Sequence, residues 1–328
     1  MIFYVWDVNF RIPHFTKSFG GGELSNFIIR RLILLLPIFI GVSILSFLMM
    51  HLIPGDPARI MAGQDATFEE IQSIRVEFGL DKSLPVQYVL FMKGVIDGNL
   101  KSIKTQRPVL KEIFPRFLNT VELSVVSIVI STFLGVGFGI IAAVKRNSWI
   151  DNFVMGFSLF GVSMPVFWLG ILLIIVFSLI LGWLPAAGKG GIEHIILPSV
   201  TLGMATSAII ARMTRASMLQ VMNQDFIRTA DAFGISPRKI VYKYTLKNAL
   251  IPVVTVIGLQ FGYMLGGAVL TESVFGWPGL GRFIVDSIFA RDYPVVQVGI
   301  MLIALTFVLV NLSVDITYAF LDPRIRRR

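Results

Sequence analysis

Cysteine is absent from this 328-residue sequence, so disulfide bonds, thiol nucleophiles, iron–sulfur clusters and cysteine-ligated zinc are excluded. Charge is also scarce. Asp, Glu, Lys and Arg make up 15% of the chain, whereas a typical soluble domain carries roughly 25%. Hydrophobic residues make up 55% of the chain, and the mean hydropathy is +0.77. This composition is typical of an integral membrane protein.

Motifs for nucleotide binding and metal catalysis are missing as well. No G-x-x-x-x-G-K-[ST] phosphate-binding loop occurs, and the nearest approach, GKG at 188–190, lacks both the spacing and the hydroxyl. No H-E-x-x-H occurs, and the three histidines lie far apart in the chain. Ser158 and Ser163 have no histidine partner for serine-protease chemistry. We therefore expect no catalytic residues, no metal and no cofactor bound by this chain.

Six apolar stretches are candidates to cross a hydrocarbon core about 30 Å thick. They are residues 32–50, 121–144, 153–181, 195–211, 250–270 and 295–321. The third contains Pro165, which predicts a kink or a break. The expected fold is an all-α integral membrane protein with six transmembrane helices and both termini on the same side.

The basic residues are unevenly distributed between the two sides of the predicted membrane. Of the 29 Lys and Arg residues, 17 lie in the two tails and in loops 145–152 and 212–248. Because basic residues concentrate in cytoplasmic loops, this side and both termini are predicted to be cytoplasmic. The net charge of +9 is then mostly an orientation signal, and we expect no nucleic-acid partner.

Two segments outside the predicted spans, a tail and a cap, are interpreted separately. Residues 1–26 lack the compact apolar region of a signal peptide and are interpreted as a cytoplasmic or interfacial tail. Residues 51–118 predict a small helical cap on the extracytoplasmic side. In it, Thr67 and Glu70 form a capping-box pattern for a helix that Gly79 ends. Two further cap helices are expected, at residues 85–96 and 108–114.

The longest strongly basic segment between two apolar runs, residues 223–252, predicts two short helices joined by a tight turn. Asn223 is a candidate N-cap for the first helix, and Gly234 ends it in a left-handed conformation. Ser236 and Pro237 predict the N-cap and first residue of the second helix. A stiff cationic hairpin of this kind favours docking on a cytoplasmic partner, and a plain amphipathic linker is the alternative.

Residues 271–294 connect the last two spans and are rich in glycine, proline and aromatic residues. The run FGWPGLG is denser in these residues than an interfacial aromatic belt requires. Because unpaired backbone cannot face lipid, the segment predicts a re-entrant or scooped loop that packs against protein.

Glu122 and Asp315 are the acidic residues nearest the bilayer. A carboxylate inside a membrane is expensive to bury and is therefore a functional candidate. Structural capping or ion pairing is the alternative for both residues. An ion-coupled secondary transporter would need such a site, so that class of protein competes with the interpretation below.

The hairpin resembles the EAA loop of permease subunits in binding-protein-dependent ABC importers. RTADAFG at 228–234 and NALIP at 248–252 are similar to the dipeptide, oligopeptide and nickel branch of that family. In the general pattern, Arg228 and Thr229 stand where Glu and Ala are usual, and Tyr244 and Lys247 where Ile and Pro are usual. Agreement with the branch extends over about residues 27–328 and includes HLIPGDPA (51–58), SMPVFWLG (163–170), LTESVFGWPGLGR (270–282) and RDYPVVQ (291–297). Within the branch, the chain is most similar to the first permease subunit for dipeptides.

The resemblance implies a permease subunit of an ATP-driven importer of dipeptides or short oligopeptides, with nickel or glutathione as alternative substrates. The implied partners are a second homologous permease subunit, two cytoplasmic ATPase subunits that use ATP and Mg, and an extracytoplasmic substrate-binding protein. The implied location is the plasma (inner) membrane of a bacterium or archaeon, with residues 27–328 as the transmembrane domain. The implied ATPase-coupling residues are Arg228, Thr229, Ala230, Asp231, Ala232, Phe233, Gly234, Ser236, Pro237 and Arg238. At the outer gate or the binding-protein contact the implied residues are Phe275, Trp277, Pro278 and Arg282.

Overall fold

A computed structural model describes residues 23–52, 54–63 and 65–321, and the regular secondary structure of this part is helical, without a β-strand. Its helices are α1 (Glu23–His51), α2 (Pro57–Ala62), α3 (Phe68–Glu77), α4 (Leu84–Ile96), α5 (Val109–Val144), α6 (Trp149–Ser163), α7 (Val166–Leu173), α8 (Ile192–Met222), α9 (Asp225–Ala232), α10 (Pro237–Lys239), α11 (Lys247–Gly267), α12 (Val269–Val274), α13 (Leu280–Phe289) and α14 (Tyr293–Leu321). Two π-helical segments, Ile174–Ile180 and Ile240–Leu246, continue α7 and join α10 to α11. The all-α expectation is confirmed. Of the predicted tail, residues 1–22 lie outside the described residues, and residues 23–26 begin α1.

Five continuous helices in the described part are long and apolar enough to cross a membrane. They belong to α1, α5, α8, the unbroken run Pro237–Gly267, and α14. A sixth crossing is available if α6 and α7 count together, although they are bent by 104°. The bend lies at Pro165, whose backbone is extended and ends the hydrogen-bond ladder of α6. The predicted break at this proline is therefore confirmed.

Helices α5 and α8 form the most extensive contact of the bundle because small residues let their backbones approach closely. A Cβ added to Gly135 would lie 2.7 Å from Ile210 Cβ, and one added to Gly139 would lie 2.5 Å from Thr214 Cβ. The Ser131 hydroxyl also donates to the carbonyl of the facing helix at Gly203, over 2.9 Å. Larger side chains at either glycine would force these two helices apart.

The prediction of a separate cap helix at residues 108–114 is wrong, because residues 109–144 form one helix that continues past Pro115. Its outer end is held by packing. Val109 and Ile113 are fully buried in a cluster with Leu280 and Val295. Tertiary contacts thus extend α5 about 12 residues beyond the predicted entry of the second span.

Helix α8 also differs from its predicted span, 195–211, and continues to Met222. The polar residues after position 211 mark an exit from the apolar region but do not end the helix. One of them, Arg215, donates to both carboxylate oxygens of Asp151 over 2.6 and 2.7 Å. The Asp151 side chain is 2% exposed, so this pair fixes the start of α6 against α8.

The cap contains α2, α3 and α4. The predicted capping box is confirmed: the Thr67 amide donates to Glu70 Oε2 over 2.8 Å, and the Glu70 amide donates to Thr67 Oγ1 over 3.3 Å. Gly79 follows α3 with a φ of +62°, as predicted for a helix end. The carboxylate of Asp56 pairs with Arg75 over 2.5 Å and fastens α2 to α3.

Candidate functional sites

The turn of the hairpin has the backbone geometry that its sequence predicts. Gly234 has a φ of +74° directly after α9. Its amide donates to the Asp231 carbonyl over 2.8 Å, and the Ile235 amide donates to the Ala230 carbonyl over 3.2 Å. These two bonds form a Schellman motif, with Ile235 packed against the hydrophobic cluster below. The turn is therefore compact and rigidly attached to α9.

The coupling residues implied by the resemblance are exposed, with one exception. Phe233 projects at the tip with 81% of its surface exposed, and the Arg228 side chain is 76% exposed. The exception is Ala230, which is buried with Ile227 and supports the hairpin from below. The other members of the set are also exposed, namely Thr229, Asp231, Ala232, Gly234, Ser236, Pro237 and Arg238.

A hydrophobic cluster anchors the hairpin to the membrane bundle. The buried Ile227 and Ala230 of α9 pack with Met218 of α8 and Ala143 of α5. Ile240, the first residue of the π-helical segment, is part of the same cluster. Contacts with α5 and α8 on one side and the next span on the other make the hairpin part of the folded core.

The capping details of the hairpin differ from the sequence prediction. Asn223 ends α8, and Gln224 is the N-cap residue of α9 without a side-chain capping bond. Ser236 is the N-cap residue of α10, as expected, but its hydroxyl makes no capping bond either. Pro237 occupies the first helical position as predicted. The turn therefore depends on backbone hydrogen bonds and apolar packing.

The second helix of the hairpin is not short, because it continues through the π-helical segment into α11 and ends at Gly267. A π-helical turn contains one residue more than an α-helical turn, so the buried side chain after Ile240 is Thr245, five positions on. Ala249 is the next buried residue, and Asn248 is exposed. The Asn248 side-chain amide instead donates to the Tyr244 carbonyl over 2.7 Å. The hairpin is thus directly continuous with a candidate membrane span.

On the other side of the bundle, the loop at 271–294 is organised around the buried carboxylate of Glu272. Thr120 Oγ1 of α5 donates to Oε1 over 2.6 Å, and the Arg282 amide donates to Oε2 over 2.8 Å. A Cβ on Gly279 would lie 2.1 Å from the Glu272 carboxyl carbon, so the loop wraps tightly around this group. Burial raises the pKa of Glu272, and the hydrogen bond from Thr120 opposes that shift.

The aromatic residues of this loop form its core. Phe275 and Trp277 are each 1% exposed, and the indole nitrogen of Trp277 donates to the Asn119 carbonyl over 3.0 Å. As placed here, these two side chains cannot touch an outside partner, whereas Pro278 and half-buried Arg282 reach the surface. The packed, scooped loop predicted from FGWPGLG is therefore present.

Both acidic residues nearest the bilayer are ion-paired. Glu122 accepts from Lys189 Nζ over 2.5 Å, and the same ammonium donates to Asn119 Oδ1 over 2.6 Å. Asp315 Oδ2 lies 3.2 Å from a guanidinium nitrogen of Arg31. These contacts agree with the structural alternative, in which the carboxylates pair with neighbouring cations.

The sequence predicts a packed loop at 271–294 that contains Glu272 and Asp292, but it identifies neither as a buried acid. Asp292 is 4% exposed and accepts hydrogen bonds from the Ser102 hydroxyl and from the Ile103 amide, the latter over 3.1 Å. The glycines and aromatics around Glu272 were the available signal for its burial. Nothing comparable marks Asp292 except the adjacent Tyr293 and Pro294.

Family models and related sequences match nearly the whole chain. The family model described as binding-protein-dependent transport system inner membrane component matches residues 135–327, and the corresponding N-terminal model matches residues 24–124. The glutathione transport system permease protein GsiC of Escherichia coli (strain K12) is 48% identical over 304 residues, covering 92% of this chain and 99% of that protein. The dipeptide transport system permease protein DppB of Alkalihalophilus pseudofirmus is 44% identical over 326 residues, covering 90% and 98%. An inward-facing structure of the MetNI methionine ABC transporter matches with a TM-score of 0.57 at 20% identity, covering 66% of this chain and 99% of that chain.

Proposed function

The chain belongs to the family of binding-protein-dependent transport system inner membrane components, and we propose that it imports dipeptides or short oligopeptides. It is a multi-pass permease subunit of an ABC importer, a class that works with ATPase subunits and a binding protein. The observation that supports a peptide substrate is the sequence identity of 44–48%, over almost the full length, to relatives named as dipeptide and glutathione permeases. Glutathione is the second candidate, and the observation that favours it is the 48% identity to GsiC against 44% to DppB. A nickel complex is the third possibility within the branch.

Coupling to ATP is proposed to run through the hairpin at 223–252. Its exposed tip, with Phe233 and Arg228, is suited to a partly acidic cleft on an ATPase subunit. Its buried side is anchored to α5 and α8, so a force on the tip moves the bundle. ATP and Mg are proposed to be used by that subunit and not by this chain.

The remaining proposals concern assembly and orientation. The pathway is proposed to form between this chain and a second, homologous permease subunit. The binding protein is proposed to meet the outer loop at Pro278 and Arg282 together with the cap. With α6 and α7 counted as one crossing, both termini lie in the cytoplasm, in accordance with the distribution of basic residues.

Substrate identity is tested with the complex reconstituted in vesicles together with its binding protein. We expect ATP-dependent uptake of a labelled dipeptide, in competition with unlabelled short peptides. Uptake of glutathione with no effect of dipeptides would select the second candidate. Uptake of a nickel chelate alone, or uptake that an uncoupler abolishes and ATP depletion does not, would contradict the proposal.

The coupling role is tested at Gly234, whose φ of +74° strains any residue with a branched side chain. The space beside its Cα is open, so a substitution acts through the backbone alone. Gly234→Val places about 1–2 kcal/mol or more of strain in the turn, whereas Gly234→Asn is tolerated in the left-handed region. We expect the valine variant to insert normally but lose uptake and stimulated ATPase activity, and the asparagine variant to retain both. Full activity of the valine variant would argue against coupling through this turn.

A further inference from the structure

Helix α4 is an apolar helix whose position relative to the bilayer follows from its contacts. It has the sequence LPVQYVLFMKGVI, with a single charged residue. At about 20 Å it is too short to span the membrane, and apolar helices of this length are usually interfacial, re-entrant or buried in protein. Its surroundings decide between these alternatives.

One side of α4 packs on the outer part of α1. The rings of Tyr88 and Phe91 lie 5.6 and 5.9 Å from the ring of Phe47. The Tyr88 hydroxyl and Ser43 Oγ are 2.7 Å apart, and the Gln87 carboxamide oxygen lies 2.9 Å from His51 Nε2. Because Gln87 also donates to two backbone carbonyls, its oxygen is the acceptor in the contact with His51.

These contacts give the depth of α4. The candidate membrane span within α1, Ile33–His51, contains 19 residues and is about 28 Å long, close to the thickness of the hydrocarbon core. His51 therefore lies near the outer boundary of the core. Phe47, where α4 crosses α1, is one turn deeper, or about 6 Å along the helix axis.

Helix α14 contacts the same turn of α1. The Gln297 side chain donates to the Phe47 carbonyl over 3.2 Å, and its own carbonyl accepts from Ser46 over 2.8 Å. Gln297 lies one turn inside the start of the α14 span at Tyr293. At the other end of α4, Val95 packs beside the first turns of α14. Both ends of α4 thus lie near the outer ends of spans, which is the arrangement of a helix parallel to the membrane plane.

The opposite face of α4 is apolar and exposed in this chain. It consists of Val86, Val89, Leu90 and Ile96, which are 43, 61, 41 and 77% exposed. At this depth the medium around the face is lipid or another protein. The single charge on this face, Lys93, favours lipid, because lysine is depleted in protein interfaces but can extend its ammonium to a headgroup phosphate.

We propose that α4 is an in-plane membrane helix, embedded in the outer leaflet, whose partner is the phospholipid bilayer. The depth of about 6 Å lies within the usual range of 5–10 Å for interfacial helices. The proposal moves α4 out of the predicted aqueous cap and leaves α2 and α3 above the membrane. The cap is then tied to the bilayer beside the first span, independently of which substrate is transported.

The absence of cysteine allows a direct test by single-cysteine labelling. Val89→Cys and Ile96→Cys are labelled with bimane in the complete transporter and compared in nanodiscs of normal and brominated phospholipids. We expect blue-shifted emission at both positions and loss of most of it in brominated lipid. The matched control is Ser73→Cys, an exposed position on α3, where aqueous iodide is expected to quench and brominated lipid is not.

Each other outcome overturns the proposal in a distinct way. Iodide quenching at Val89 and Ile96 equal to that at Ser73 would place α4 in water. Blue-shifted emission that neither quencher reduces would place a protein surface, such as the second permease subunit, over this face. Two positions on α4 guard against a local effect of one substitution, and co-purification with the ATPase subunits confirms that each variant is assembled. The peptide proposal can fail in the uptake assay without affecting this result.

Discussion

The outer loop should depend strongly on the carboxylate of Glu272. Glu272→Ala removes the acceptor for the Thr120 hydroxyl and for the Arg282 amide. A buried donor without a partner costs about 1–3 kcal/mol, which applies to the Arg282 amide, whereas the Thr120 hydroxyl can turn to the Arg116 carbonyl 3.3 Å away. The void left beside Gly279 adds a further cost, because the loop is built around the missing side chain. We therefore expect a large loss of thermal stability from this one substitution.

Glu272→Gln is the matched control because it keeps the shape of the side chain. Its carboxamide oxygen can accept from the Arg282 amide. Its NH2 group can donate to Thr120 Oγ1, which already accepts from the Leu280 amide over 2.8 Å and can donate to the Arg116 carbonyl over 3.3 Å. The glutamine variant should therefore retain most of the stability that the alanine variant loses.

The assay is the melting temperature of the detergent-solubilised transporter, followed by the fraction that stays monodisperse after heating. The two variants should be clearly separated, with glutamine near the wild type and alanine well below it. An alanine variant as heat-stable as the wild type would refute the reasoning. Equal losses in both variants would show that charge, and not hydrogen-bond acceptance, holds the loop.

The same group predicts a dependence on pH. Burial raises the pKa of Glu272, so the folded loop favours the protonated carboxyl relative to the unfolded chain. Its contribution to stability is complete below the ordinary pKa of glutamate and is lost as the pH rises through the elevated value. The melting temperature of the wild type should fall over that range, and Glu272→Gln should lack this part of the slope. Identical pH profiles for the two proteins would contradict the assignment.

Two further predictions use the same melting assay. Arg215→Met should destabilise the protein by about 3–5 kcal/mol because it leaves the buried Asp151 carboxylate unpaired, and adding Asp151→Asn should recover most of the loss. Thr245→Val should keep or raise the melting temperature, because the Thr245 hydroxyl is buried without a hydrogen-bond partner and such burial costs about 1–3 kcal/mol. The control Thr255→Val, which removes a hydrogen bond to the Ile251 carbonyl, should lower it slightly.

Features that local chemistry determines were predictable from the sequence. Gly234 ends α9 because a left-handed residue is needed there, and the capping box of Thr67 and Glu70 starts α3 because each side chain meets the amide of the other. Pro165 breaks the third apolar stretch because it ends a hydrogen-bond ladder. These signals lie within a few residues of the structure that they specify.

Features that depend on tertiary packing were not predictable in the same way. Helix α5 extends outward past Pro115 because Val109 and Ile113 are buried against α13 and α14, which lie far away in sequence. Glu272 is buried because Thr120, from another helix, and the Arg282 amide supply its donors. The π-helical segment after Lys239 follows from no sequence pattern that distinguishes it from an α-helix. Each of these outcomes depends on partners that a linear pattern does not contain.

The two candidate functional regions are joined by two long helices. The run Pro237–Gly267 begins at the hairpin and, at about 46 Å, ends one residue before α12, which carries Glu272. Helix α5 makes the second connection, because Ala143 packs under the hairpin and Thr120 holds the Glu272 carboxylate. Two helical connections, one through the π-helical segment and one along α5, therefore link the hairpin to the outer loop. Both helices contact the hairpin at one end and the outer loop at the other. A large movement of the hairpin therefore requires a change in the π-helical turn or in the packing around Glu272.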